Sequence, residues 1–212
     1  MTPARLLLAA LALVSGAAAI LFDRRGRRPH VYIGRAAAMV FIILAAALTT
    51  HPFSETYRIL VAVGLVLSLA GDVCMMLPEK KFIEGLAFFL AAHGCYIAAF
   101  RPGPGERVSA STMLPFIVLG LIIFRMLAPS LGRMKFPVLI YVAAISAMAC
   151  LAASRYVTYG GTGPLLAMIG ALLFLGSDGA LAYNRFIRPF GGAQVVILGL
   201  YFPAQLLIAL SV

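Results

Sequence analysis

Eight apolar runs, each about as long as a membrane-spanning helix, divide this chain. About 20 apolar residues carry a helix across the hydrocarbon core of a bilayer, and the segments between the runs are rich in Gly, Pro or charge, as turns are. The runs lack the period-two alternation of strands in a membrane barrel. The sequence therefore predicts an all-α polytopic bundle of about eight transmembrane helices, forming a single integral-membrane domain over residues 1–212. The runs lie at roughly 4–22, 31–50, 58–77, 83–100, 110–127, 136–153, 164–183 and 192–211.

Composition supports a lipid environment. Hydrophobic residues make up 63% of the chain and charged residues 11%, whereas a soluble domain has about half apolar and a quarter charged residues. The first run ends in "DRRGRR" rather than in small residues, so we interpret it as a true span and not as a cleaved signal peptide. The net charge of +10 lies in short loops, which indicates contact with anionic lipid headgroups and no nucleic-acid partner.

Basic residues are unevenly distributed between the two sides of the predicted bundle. The loops after odd-numbered runs, with the helix ends beside them, contain most of the 17 Lys and Arg residues. Under the positive-inside rule these loops are cytoplasmic and both termini lie outside, in what we expect to be a bacterial inner membrane. The residues on the side with more charges are Arg24, Arg25, Arg27, Arg28, Arg35, Lys80, Lys81, Arg125, Arg133, Lys135, Arg185 and Arg188, and those on the other side are Arg5, Arg58, Arg101, Arg107 and Arg155.

Two acids, Asp72 and Asp178, lie well inside apolar runs. An unpaired carboxylate in the membrane costs several kcal/mol, so such residues face a partner or a cavity and indicate function. Both lie roughly 9 Å inside the same boundary, and they are therefore expected to converge across the bundle. Their settings, "LAGDVCMML" and "FLGSDGALAY", are similar and four spans apart, which hints at a weak 4+4 repeat.

Other polar side chains accompany these acids. His93 lies somewhat deeper in the fourth run, where structural and functional roles are equally plausible, and Tyr96 follows it on the same helical face. For each of the remaining polar residues, hydrogen bonding between helices is the commoner role. These residues, in or beside spans, are Tyr141, Asn184, Arg185, Tyr201 and Gln205.

Two buried carboxylates allow three kinds of chemistry. Two acids that cannot both ionise divide into an acid and a base, which suits hydrolysis of an acid-labile bond. The same residues also suit a proton-coupled membrane transporter. A metal site of Asp72, Asp178 and His93 is disfavoured because no ligand spacing supports it, and we expect neither metal nor cofactor. The sequence contains no G-x-S-x-G, Walker or dinucleotide motif.

Three motifs together resemble the YhhN family of multi-span membrane proteins. They are "GDVCMML" at 71–77, "FIEGLAFFLAAHGCYIAAF" at 82–100 and "FLGSDGALAYNRF" at 174–186, with "YFPAQLLI" at 201–208 also similar. The resemblance implies lysoplasmalogenase activity, which is hydrolysis of the vinyl ether bond of a lysophospholipid to a fatty aldehyde and a glycerophospho-ethanolamine or -choline. Asp72 and Asp178 would then share one proton: one protonates the vinyl ether, and the other stabilises the cation and activates water.

Supporting roles follow from this hypothesis. His93 would orient the acids or hold substrate, and the basic rim would meet the phosphate. The proposed supporting residues are Tyr96, Tyr141, Ser177, Asn184, Tyr201 and Gln205 in the pocket, with Arg185, Lys80 and Lys81 at the rim.

Overall fold

A computed structural model describes residues 2–50, 53–77, 81–103 and 105–212. These residues form eight helices, each long and apolar enough to cross a membrane, and this confirms the predicted fold class. Short helical turns follow α5 and α7. The helices are α1 (Pro3–Arg24), α2 (Arg28–Ala47), α3 (Glu55–Met76), α4 (Phe82–Phe100), α5 (Ala110–Leu127), α6 (Lys135–Tyr159), α7 (Thr162–Ala182) and α8 (Ala193–Leu210).

Local sequence explains several helix ends. The side chains of Thr2, Ser54 and Ser109 each accept a hydrogen bond from the backbone N–H three residues later, so they cap α1, α3 and α5. Beyond Ala182 the chain continues as one π-helical turn, Tyr183–Ile187. We call the end of the bundle that carries the loops after α1, α3, α5 and α7 the basic end.

The sixth helix is longer than the sequence predicts, and its C-terminal end lies beyond the predicted one. The prediction that Arg155 lies in a loop is wrong, because α6 continues through it to Tyr159. The Arg155 guanidinium lies 4.2 Å from the ring centroid of Phe53 and 4.5 Å from that of Tyr57. These cation–π contacts allow a buried cation inside a helix.

The helices pack as consecutive antiparallel hairpins that close into a bundle. Helix α8 packs on α1 and α2, and α4 packs on α6. An aromatic core that includes Phe89, Phe174 and Tyr201 lies between α4, α7 and α8. Helix α5 packs mainly on α6, and most of its residues face outward.

The two halves of the chain pack in a related way. The pairs α1–α2, α2–α3 and α3–α4 have counterparts four helices later, and the contact of α4 with α6 corresponds to that of α8 with α2. The close approach of two helices at a glycine is repeated as well. A Cβ at Gly64 would clash with Tyr96 of α4, and one at Gly170 would lie 2.8 Å from the Ala204 carbonyl oxygen of α8. This correspondence agrees with the 4+4 repeat.

Candidate functional site

Asp72 forms an ion pair with an arginine from the neighbouring helix. Arg35 Nε donates to Asp72 Oδ2 at 3.2 Å, and Arg35 Nη2 donates to Asp72 Oδ1. The Asp72 side chain is 1% exposed and that of Arg35 is 11% exposed. Two parallel charge-assisted bonds are the strongest arrangement available to a carboxylate, so Asp72 is neutralised within the core.

The sequence pattern did not predict that Arg35 pairs with Asp72. It was counted with the basic residues of the loops, but it lies about two turns inside α2. The feature of the sequence that could have identified this pairing is the spacing between Arg35 and Asp72. Arg35 and Asp72 are 37 residues apart, as are Tyr141 and Asp178.

Asp178 has a different partner. The Tyr141 hydroxyl of α6 donates to Asp178 Oδ2 at 2.6 Å. His93 Nε2 lies 3.8 Å from the same oxygen, which is beyond hydrogen-bond range. Among the described residues neither imidazole nitrogen of His93 has a hydrogen-bond partner, although the side chain is fully buried. The sequence-predicted residues Asp178, Tyr141 and His93 are thus brought together.

Aromatic contacts connect the surroundings of the two acids. The Phe174 ring lies 4.9 Å from His93 and 5.7 Å from Tyr201, measured between centroids. Tyr201 in turn donates to the Ser68 carbonyl at 3.3 Å, one turn before Asp72. In the described part of the chain no hydrogen bond joins Asp72 to Asp178. Each carboxylate instead has its own hydrogen-bond partner, and the shared proton stays a prediction.

Asp178 borders a narrow cleft at the basic end. The cleft has a volume of about 40 Å³, and Phe82, Tyr141, Val142 and Phe186 are among its other lining residues. A buried water needs roughly 10–15 Å³ of such volume, so the cleft admits water beside Asp178. Asp72 does not line this cleft.

A second polar group lies deeper in the bundle. The Tyr96 hydroxyl donates to Gln205 Oε1 at 2.8 Å, which joins α4 to α8. Gln205 Nε2 is buried and has no hydrogen-bond partner among the described residues. Tyr96 and Gln205 are thus hydrogen-bonded to each other, whereas the hydrogen-bond partner of Asp178 is Tyr141.

Two predicted pocket residues make contacts within the protein instead. Ser177 Oγ donates to the Ile197 carbonyl at 3.0 Å and so ties α7 to α8. Asn184 Oδ1 accepts a hydrogen bond from the Phe190 amide at 3.1 Å, within the turn between these helices. Both contacts support the backbone around Asp178.

The basic rim is only partly described. The Arg185 guanidinium lies 4.9 Å from the ring centroid of Phe82, which lines the cleft. Lys81 bonds Glu84 at 2.9 Å, and this bond raises the pKa of the Lys81 amine. Lys80 lies outside the described residues. Within the described ranges, no group of three or more His, Cys, Asp or Glu side chains is placed to hold a metal ion.

The sequence as a whole matches a known family. A sequence model of the YhhN family matches residues 31–212, which include every side chain described around both acids. The chain belongs to the YhhN family. No solved structure matched this YhhN protein.

Named relatives of this YhhN chain come from bacteria and mammals. A protein named lysoplasmalogenase from Mycobacterium bovis is 34% identical over 182 residues, covering 81% of this chain and 66% of the relative. Human "Lysoplasmalogenase TMEM86B" is 34% identical, with 80% of this chain and 70% of the relative covered. Bovine "Lysoplasmalogenase TMEM86A" is 32% identical, with coverages of 77% and 68%. The match thus spans about two thirds of each relative's length.

Proposed function

We propose that this protein hydrolyses the vinyl ether bond of lysoplasmalogens at the cleft beside Asp178. Relatives that bear the name lysoplasmalogenase support the reaction. The observation that carries the site is the Asp178 carboxyl, which borders a cleft large enough for water and has a hydroxyl rather than a cation as its hydrogen-bond partner.

The reaction needs one acid and one water molecule. Asp178 transfers its proton to the outer carbon of the vinyl ether, which leaves an oxocarbenium ion and an Asp178 carboxylate. Water then adds to the cation and returns a proton to Asp178. The resulting hemiacetal collapses to a fatty aldehyde and the glycerol hydroxyl. The same carboxyl therefore serves first as general acid and then as general base.

The partners of the two acids support Asp178 as the proton donor. A protonated carboxyl in an apolar setting avoids the cost of an unpaired charge, and the Asp178 side chain is 11% exposed with no cation bonded to it. Asp72 has Arg35 to compensate its charge. In this scheme Asp72 is a positioning residue that holds α2 against α3.

Tyr141 and His93 position the acid. The Tyr141 hydroxyl fixes one carboxylate oxygen by donating to it, which leaves the other oxygen to carry the proton. His93 packs edge-on against the Tyr141 ring, with centroids 5.1 Å apart, and so supports Tyr141 from behind. Neutral aromatic neighbours keep this side of Asp178 dry.

Three lysophospholipids with one headgroup and one chain length test the proposal. The purified protein is expected to release aldehyde from the alkenyl lipid, while the matched alkyl ether and acyl ester are not cleaved, because only a vinyl ether is activated by carbon protonation. Cleavage of the ester at a comparable rate would point to an esterase and contradict the proposal.

Deuterium oxide tests the protonation step. The aldehyde formed in D₂O should contain one deuterium on the carbon next to its carbonyl, because that carbon receives the proton. Unlabelled aldehyde incubated with the protein in D₂O controls for exchange. Aldehyde without the label would exclude carbon protonation.

Proteoliposomes separate hydrolysis from the alternative, a proton-coupled membrane transporter that uses the same aspartates. Lipid or proton uptake without aldehyde release would favour transport. Aldehyde release that is insensitive to a proton gradient would favour the hydrolase.

A further inference from the structure

A long apolar groove runs between α5 and α6. Its cavity has a volume of about 410 Å³, within the range of roughly 300–1,000 Å³ typical of ligand pockets. Ser146 and Cys150 are the polar side chains among its lining residues, and the Ser146 hydroxyl has no hydrogen-bond partner. The walls are otherwise almost entirely hydrocarbon. The lining residues are Val108, Met113, Phe116, Ile117, Gly120, Leu121, Phe124, Leu139, Val142, Ala143, Ser146, Ala147, Cys150 and Leu151.

The corresponding helices of the first half are packed differently. Helix α1 packs on both α2 and α8, and a side chain at Gly34 would lie 3.0 Å from Ala19 Cβ. Helix α5 packs mainly on α6 and has no equivalent of the α1–α8 contact among the principal ones. The groove thus opens in the half of the protein that contains Asp178.

The groove lies next to the Asp178 cleft. Val142 lines both cavities, and Tyr141 beside it bonds Asp178. From Leu139 to Leu151 the wall formed by α6 extends for roughly 18 Å at 1.5 Å per residue. This length is close to that of one leaflet, roughly half of a 30 Å hydrocarbon core. A lipid headgroup at the basic end would place its first chain carbons beside Asp178.

We propose that this groove binds the alkenyl chain of the substrate and sets the chain length that the enzyme accepts. The proposal rests on the proposed hydrolase function, and it assigns specificity to Ala143 and Ala147. Both alanines are exposed in the groove and lie one turn apart on α6. Because surrounding lipid is as apolar as the groove, selectivity arises from shape rather than from transfer out of water.

Two substitutions at different depths test the proposal. Ala147→Phe should block the part of the groove that lies farther from the Asp178 cleft. It should lower turnover of long-chain relative to short-chain substrates by roughly tenfold or more. Ala143→Phe lies nearer the cleft and should reduce the longest accepted chain further, by the length that corresponds to about 6 Å along α6. Turnover is measured in detergent micelles for lysoplasmalogens with one headgroup and graded chain lengths.

Ala10→Phe is the matched control. Ala10 is an exposed alanine on α1, which packs on α2 and α8 and contributes nothing to the groove. Its chain-length profile should equal that of the wild type. An unchanged profile in both groove variants, or an equal loss at every chain length, would overturn the proposal. A changed oligomeric state with an unchanged profile would instead identify the groove as a contact between copies of the chain.

A second measurement separates failure of the groove from failure of the proposed function. A lysophospholipid with a photoreactive group at the end of its chain should cross-link to peptides of α5 or α6, and Ala147→Phe should lower that yield several-fold. Ala147→Leu repeats both measurements if the Phe variant fails to fold. If the wild type cleaves no lysoplasmalogen, the proposed function fails, and cross-linking elsewhere would then also exclude the groove as a chain site.

Discussion

The Arg35–Asp72 pair and the Tyr141–Asp178 pair occupy equivalent places in the two halves of the protein. Each joins the second helix of its half to the third, over 37 residues. Each residue of the second pair lies half a chain length after its counterpart, since 141 − 35 and 178 − 72 both equal half of 212. Asp72 and Asp178 lie one turn before the ends of α3 and α7. The same scaffold thus presents one acid to a cation and the other to a phenol.

In the proposed reaction, this difference separates a stabilising acid, Asp72, from a reactive one, Asp178. A buried carboxylate that is bonded twice by a guanidinium gains little from accepting a proton. A carboxyl that is bonded by a neutral hydroxyl and borders a cleft is available to exchange one. The second helix of each half therefore selects the chemistry of the acid on the third.

The largest expected effect is on catalysis by Asp178. Asp178→Asn should lower aldehyde release by roughly 10²–10⁴-fold, the usual contribution of a general acid, with little change in thermal unfolding in detergent. Asp178→Glu restores the carboxyl at a displaced position and should recover part of the activity. Full activity of the Asn variant would remove Asp178 from the reaction.

The next effect is on stability at Asp72. Arg35→Gln and Asp72→Asn each leave one buried group without its partner, which typically costs roughly 3–5 kcal/mol. The double variant should be less destabilised than the two single variants added together, because neither charge remains. Thermal and denaturant unfolding in detergent measure this coupling, and strictly additive losses would contradict the ion pair.

Close helix packing should be needed in both halves, but disrupting it should lower the free energy of unfolding by different amounts in the two halves. Gly64→Ala and Gly170→Ala overpack their sites and should each lower the free energy of unfolding by roughly 1–3 kcal/mol. The loss should be larger at Gly170, where the new Cβ would meet the backbone at Ala204 rather than the Tyr96 side chain. A larger loss at Gly64 would show that the Tyr96 ring cannot move aside.

The smallest expected effect is that of the phenol. Tyr141→Phe removes one hydrogen bond to Asp178, and a typical hydrogen bond is worth roughly 0.5–1.5 kcal/mol. The variant should therefore lose up to about tenfold in aldehyde release. Tyr201→Phe is the control, because the Tyr201 hydroxyl donates to the Ser68 carbonyl and not to Asp178. Equal losses of aldehyde release in the two variants would show that the Tyr141 hydroxyl has no specific role beside Asp178.

Much of the candidate site could be predicted from the sequence. Asp72, Asp178 and His93 are polar residues within apolar runs, and their cost in lipid identifies them without a structure. Tyr141 was predicted only as a polar residue that lines the pocket. Arg35 was predicted only as one of the basic residues at the helix ends beside the loops, because a cation near a helix end is usually exposed to headgroups.

Sequence alone determined the eight helices long and apolar enough to span a membrane and the place of both acids near helix ends, because apolar length and helical rise are local properties. Only the tertiary structure decided which partner each acid meets. A hydrogen bond between residues 37 apart depends on how two helices are rotated against each other, and that rotation is set by packing along their whole length. The same packing placed Phe174 against both His93 and Tyr201 and gave different partners to two carboxylates that each lie one turn before a helix end.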